Sequence, residues 1–153
     1  MTGVTGVTAA DARLSRHDER RRALEILYEA DLKERPIARV LATHLDGESP
    51  PTEFTLQLVR GVNAHQEELD ALISANAKDW KLARMPVVDR NLLRIGLFEI
   101  LHVAEVPTAV AIDEAVELAK ELSTDSSGRF VNGLLARLAP AAEPPAVASG
   151  PDG

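Results

Sequence analysis

Five arginines stand within ten residues of the segment "RLSRHDERRR": Arg13, Arg16, Arg20, Arg21 and Arg22. Guanidinium groups grip phosphate oxygens through paired N–H donors and stack on bases, so the chemistry this block suggests is capture of a polyanion. The whole chain is acidic, with formal net charge −7. A polyanion would therefore have to be held by a local patch and not by the global field. At about 100° per residue, Arg13, Arg16 and Arg20 share one narrow sector of a helix, continued by Leu24 and Leu27. Arginines in a first turn oppose the helix macrodipole by roughly 0.3–1 kcal/mol each, a cost that an external anion would offset. The competing use is internal salt bridging and solubility.

A second charged set is Asp113, Glu114, Glu117 and Glu121. Asp113, Glu117 and Glu121 recur every four residues and share one helix face. Their alternation with alanine and leucine reads as the solvated side of an amphipathic helix, or as an acidic strip for a partner, and not as an acid–base pair. The four histidines, His17, His44, His65 and His102, are scattered with no second ligand type at metal spacing, so no metal site is expected. Cysteine is absent, which excludes disulfides and cysteine-ligated zinc. There is no phosphate-cradling glycine loop and no nucleophile elbow, so neither a cofactor nor an enzyme is expected.

The elements that must position these groups read as helices throughout, with no alternating strand pattern. Hydrophobic residues make up 45 % of the 153 but aromatics only 3 %, so the core must be aliphatic. A first helix runs from about Ser15 to Leu32, followed by a short one through "IARVLATHL" after Pro36. Thr52 is placed to cap "EFTLQLVRGVNAHQEELDALISANA", where Gly61 costs about 1 kcal/mol and implies close approach of another helix. "KDWKLARMP" breaks the pattern, with Asp79 and Lys81 flanking Trp80 as an anchor at a junction. "VVDRNLLRIGLFEILHV", "TAVAIDEAVELAKELS" and "TDSSGRFVNGLLARLA" follow, the last capped by Asp125 or Ser126. The fold class is all-α: six to seven helices in two packed three-helix bundles, residues 15–79 and 80–139. A flexible arm, residues 1–14, and a disordered Pro/Ala/Gly-rich tail, residues 140–153, are expected to flank them. No run of 18 apolar residues and no secretory signal is visible, so no membrane contact and a cytoplasmic location are expected.

Four stretches together resemble the NusB family of transcription antitermination factors: "RHDERRRALEILYEADL", "LVRGVNAHQEELDALI", "WKLARMPVVDRNLLRIGLFEIL" and "VPTAVAIDEAVELAKELSTDSSGRFVNGLLARL". The resemblance covers about residues 15–139. It implies a protein that is not an enzyme and that binds the boxA element of ribosomal RNA operon transcripts together with NusE, a ribosomal small-subunit protein, as part of an RNA polymerase antitermination complex. Carried over by the resemblance, Arg16, His17, Arg20 and Arg21 fall on the basic RNA-binding segment. Phe130 matches an aromatic offered to RNA, with Ser126 and Arg129 beside it and Lys78 as a further RNA candidate. Phe130 equally suits a core role, because helix aromatics are mostly buried. Tyr28 and Asp89 match positions used near NusE.

Asp18 and Glu19 interrupt the arginine block, where relatives carry neutral or basic residues, and should repel phosphate. An alternative reading is therefore a protein-interaction adaptor with little RNA binding of its own. A third is the helical domain of a ribosomal RNA methyltransferase, for which the chain leaves no room for a methyl-transfer domain. Relatives occur as monomer or homodimer. Replacing Arg16 and Arg20 by alanine is expected to weaken RNA binding and leave the fold intact.

Overall fold

The computed structural model describes residues 15–78 and 80–142; the N-terminal arm, Asp79 and residues 143–153 lie outside the described residues. Among the described residues six α-helices form: α1 (Arg16–Lys33), α2 (Ile37–Leu45), α3 (Glu53–Asn76), α4 (Val87–His102), α5 (Thr108–Leu122) and α6 (Asp125–Ala142), with a 3-10 turn at Leu82–Arg84 between α3 and α4. No strand occurs among the described residues. Helices α1, α2 and α3 pack on one another, as do α4, α5 and α6. The two three-helix bundles join where α4 lies against α1 and α3, and where α3 touches α6.

Local chemistry explains the boundaries. Ser15 caps α1, its Oγ accepting the Asp18 N–H at 3.0 Å, and Asp18 and Glu19 stand in the first turn, where the helix dipole favours anions. The helix stops at Glu34, whose φ of 54° is left-handed, and Arg35 N–H reaches back to the Ala30 carbonyl at 2.9 Å. Pro36, Pro86 and Pro107 immediately precede α2, α4 and α5. A missing N–H costs nothing there, since a helix start leaves its first donors unpaired.

Two expected details differ. Thr124 caps α6 in place of Asp125 or Ser126, its Oγ1 accepting the Ser127 N–H at 3.0 Å. Helix α6 continues through Pro140 to Ala142 instead of ending at 139. Trp80 stays 40 % exposed, packing edge-on against Phe130 at the junction, where Met85 is the buried side chain.

The core is aliphatic. Its largest fully buried side chains include Leu24, Ile26 and Leu27 of α1, Leu58 and Ile73 of α3, and Leu92 and Leu97 of α4. Helix α4 is the central element: every residue from Asn91 to Glu99 is buried. Each fully buried leucine or isoleucine contributes about 1.5–3 kcal/mol.

Gly61 is the point of closest approach between α3 and α4. A Cβ there would lie 2.0 Å from Cζ of Phe98. Gly61→Ala is therefore expected to destabilise by about 1–3 kcal/mol, the range for overpacking, despite the gain in helix propensity. Thermal melting checks this; an unchanged midpoint would mean that Phe98 gives way freely.

Candidate nucleic-acid and partner surfaces

The arginines of α1 are mostly engaged inside the molecule. Arg20 is 3 % exposed; its Nε lies 2.8 and 3.1 Å from the two carboxylate oxygens of Glu99, and Nη2 adds a third bond at 2.8 Å. Glu99 is itself 1 % exposed. Burial pushes its carboxyl up, against the pull of Arg20. Arg20 is thus a buried strut between α1 and α4, not the phosphate ligand expected for it. Arg21 pairs with Glu121. His17 lies between two acids of α5, with Nδ1 2.8 Å from Glu114 and Nε2 2.9 Å from Glu121. The Glu114 bond outweighs burial and, with Glu121, holds the imidazole above its ordinary value. Arg22 donates to the Ser49 carbonyl at 2.7 Å. Arg16 remains exposed, paired with Glu19 at 2.9 Å and lying 4.1 Å over the Phe54 ring.

The anions that offset the macrodipole are therefore internal. Of the acidic strip on α5, Asp113 and Glu117 face solvent as expected, but Glu114 and Glu121 reach across to α1. Asp18 and Glu19 also have structural uses. Glu19 is buried and accepts from Thr52 Oγ1 as well as Arg16, and Thr55 Oγ1 donates to its carbonyl at 2.8 Å.

A different surface gathers aromatics and cations. Trp80 meets Phe130 edge-on, with ring centroids 5.1 Å apart and planes at 74°. Together with Ala77, Lys78 and Arg137 they line an open cavity of about 550 Å³. An adjoining cavity of about 770 Å³ adds Lys81 and Arg84. Phe130 is half-buried, packing on the core as the core reading expects while also bordering this cavity. Ser126, one turn earlier, and Arg129, the preceding residue, are exposed, with Arg129 Nη2 3.3 Å from Ser126 Oγ. No carboxylate of a described residue forms a salt bridge with Lys78, Lys81, Arg84, Arg129 or Arg137. Trp80 and Arg137 were missed as a pair with Phe130 in the sequence. The readable signal was spacing: Arg137 follows Phe130 by two helical turns and so shares its face.

The expected partner residues separate. Tyr28 is 37 % exposed, and Leu32, one turn on, is 57 % exposed, so the two form an apolar ridge flanked by exposed Glu25. Asp89 is 1 % exposed and cannot touch a partner. Its Oδ2 accepts from Ser127 Oγ at 3.1 Å, tying the start of α4 to α6, and its Oδ1 is buried without a partner among the described residues. Burial pushes the Asp89 carboxyl up. Asp31, three residues beyond Tyr28, is partly exposed. It accepts two bonds of 2.7 Å from Arg90 and one of 2.9 Å from Asn91. Burial works against its charge, but these bonds outweigh burial and hold its carboxyl below the ordinary value. Asp31 borders a cavity of about 490 Å³ with Glu34, Arg35 and Asn63.

The NusB family pattern matches residues 17–140. The transcription antitermination protein NusB of Thermobifida fusca is 52 % identical over 125 residues, 81 % of this chain and 88 % of that one. That of Salinispora arenicola is 50 % identical over 129 residues, 82 % of this chain and 95 % of that one.

The chain belongs to the NusB family.

The NusB fold extends to solved structures. T. maritima NusB superposes with a TM-score of 0.77 at 34 % identity, covering 86 % of this chain and 94 % of that one. A structure of the antitermination factors NusB and NusE in complex with dsRNA gives a TM-score of 0.68 at 25 % identity, covering 84 % and 99 %. As a NusB-family protein the chain is all-helical, and among the described residues no helix is long and apolar enough to cross a membrane.

Proposed function

We propose that this NusB-family chain is a cytoplasmic, non-catalytic antitermination factor that binds boxA-type RNA together with NusE. The RNA face is the Trp80–Phe130 platform with Lys78, Arg129 and Arg137 around it, extended by the exposed flank of α1 through Arg16 and the partly exposed His17 and Arg21. The NusE face is the Tyr28–Leu32 ridge with its acidic border, which suits a basic ribosomal protein. The observation that carries this reading is the pairing of an exposed Trp80 and a half-buried Phe130 with cations that no described acid neutralises. Single-stranded nucleic acid is held by that combination, base on ring and phosphate on cation.

The engagement of Arg20, Arg21 and His17 by internal acids favours a second reading, an adaptor whose RNA affinity depends largely on NusE. Titration of boxA RNA against the chain, with and without NusE, separates the two. Saturable binding by the chain alone, tightened by NusE, is expected. Binding only when NusE is present would favour the adaptor, and binding in neither case would overturn both.

A further inference from the structure

Helices α3 and α4 meet at a third surface that neither proposed face uses. His65 and Glu68 lie one turn apart on α3, and His102 ends α4. The histidines expected to be scattered are in this case stacked, with the rings of His65 and His102 4.0 Å apart at 23°. Glu68 Oε1 lies 3.1 Å from His102 Nε2 and 3.3 Å from His65 Nδ1, and one ligand atom from each of the three residues falls within 4.8 Å of the others. Phe98 closes one side of the group, its ring 5.4 Å from His102 and 5.9 Å from His65. The same Phe98 fills the notch left by Gly61, so the contact that sets the α3–α4 spacing also sets how far His102 stands from His65. At His65 the backbone leaves helical values, with φ −113° and ψ 16°.

We propose that His65, Glu68 and His102 bind a divalent transition metal of the zinc class, clamping α3 to α4. Zinc bonds to imidazole nitrogen and carboxylate oxygen are about 2.0–2.2 Å long, which puts neighbouring donors of a tetrahedral site roughly 3.3 Å apart. Two of the three donor separations already have that length. The third closes when one imidazole turns out of the stack, a motion open to partly exposed rings. Two imidazoles and one carboxylate suit a borderline cation. Magnesium and calcium, which demand mostly oxygen ligands, are poorly served. The fourth position faces solvent and is open to water or an outside ligand. His17 shows the contrast: its two ring nitrogens point to two different acids, so no single point there meets three donors.

The test uses the full chain stripped of metal with chelator. Zinc chloride is expected to bind at one equivalent by calorimetry. At about 100-fold excess over Kd it should raise the melting temperature by roughly 5–10 °C. Magnesium chloride at the same concentration should leave it unchanged. His65→Gln and His102→Gln should each weaken zinc binding at least tenfold while melting like the parent in chelator. Glu68→Gln, at an exposed position, provides a third variant should either histidine change disturb folding. Absence of zinc binding, or binding that survives all three substitutions and therefore uses other histidines, would overturn the proposal.

Discussion

Arg20→Ala is expected to cost about 3–5 kcal/mol of folding stability, the range for removing one partner of a buried ion pair. The substitution strands Glu99, 1 % exposed, without the guanidinium that makes three hydrogen bonds to its two oxygens. Arg16→Ala, four residues away but with a side chain 63 % exposed, should stay within about 0.5–1 kcal/mol of the parent. Urea denaturation reads both, as a large fall in midpoint for the first and almost none for the second. The pH dependence carries a defined sign. Burial already holds the Glu99 folded pKa above the unfolded value, and with Arg20 gone burial and the Glu114 charge raise it further, opposed only by Arg16. The variant is then least impaired at acid pH, below the unfolded value, where the carboxyl is neutral in both states. Its deficit grows as pH rises through the folded pKa. Replacing both partners, Arg20→Met with Glu99→Leu, should recover most of the loss, since a well-packed apolar pair does not strand a charge. An unchanged midpoint for Arg20→Ala would mean that Glu99 finds water or another partner. The expectation that Arg16 and Arg20 could be replaced together without harm to the fold is withdrawn on this geometry. Lost RNA binding in that double variant would report unfolding.

Trp80→Ala is expected to weaken single-stranded RNA binding by about 1–3 kcal/mol, or roughly 5- to 150-fold, the contribution of one base stacked on an aromatic ring. Because Trp80 is 40 % exposed, the melting temperature should scarcely move. Phe130→Ala should lose comparable affinity but also stability, since that ring packs on the core as well. Lys78→Ala and Arg137→Ala should each flatten the slope of log K against log salt by about 0.7, the counterion release of one single-strand phosphate contact. Mobility shift over a range of salt measures all four variants. If Trp80→Ala bound RNA as the parent does, the aromatic couple would not be the RNA surface.

The helices and their division into two bundles were legible because periodicity and caps are local. The run from Val87 to His102 announces a helix by its own spacing, and Gly61 announces a neighbour by its lack of a side chain. What could not be read was which charges face each other across the fold. Arg20 and Glu99 are 79 positions apart, and His17 and Glu114 are 97 apart. Nothing in either segment alone distinguishes an arginine that meets phosphate from one that meets a buried carboxylate. Asp89 failed for a related reason: a first-turn aspartate usually faces solvent, and only the arrival of Ser127 from α6 covers it. His65 and His102 became a pair only when α4 folded onto α3.

The chain has one tryptophan, and it sits at the bundle junction beside Phe130 and outside the core. Intrinsic emission from this protein is thus a reporter of one patch. A ligand arriving at the platform perturbs the indole directly, while loosening of the aliphatic interior reaches it through its contact with Phe130. Fluorescence thus reads this one patch, while circular dichroism reads the helices as a whole.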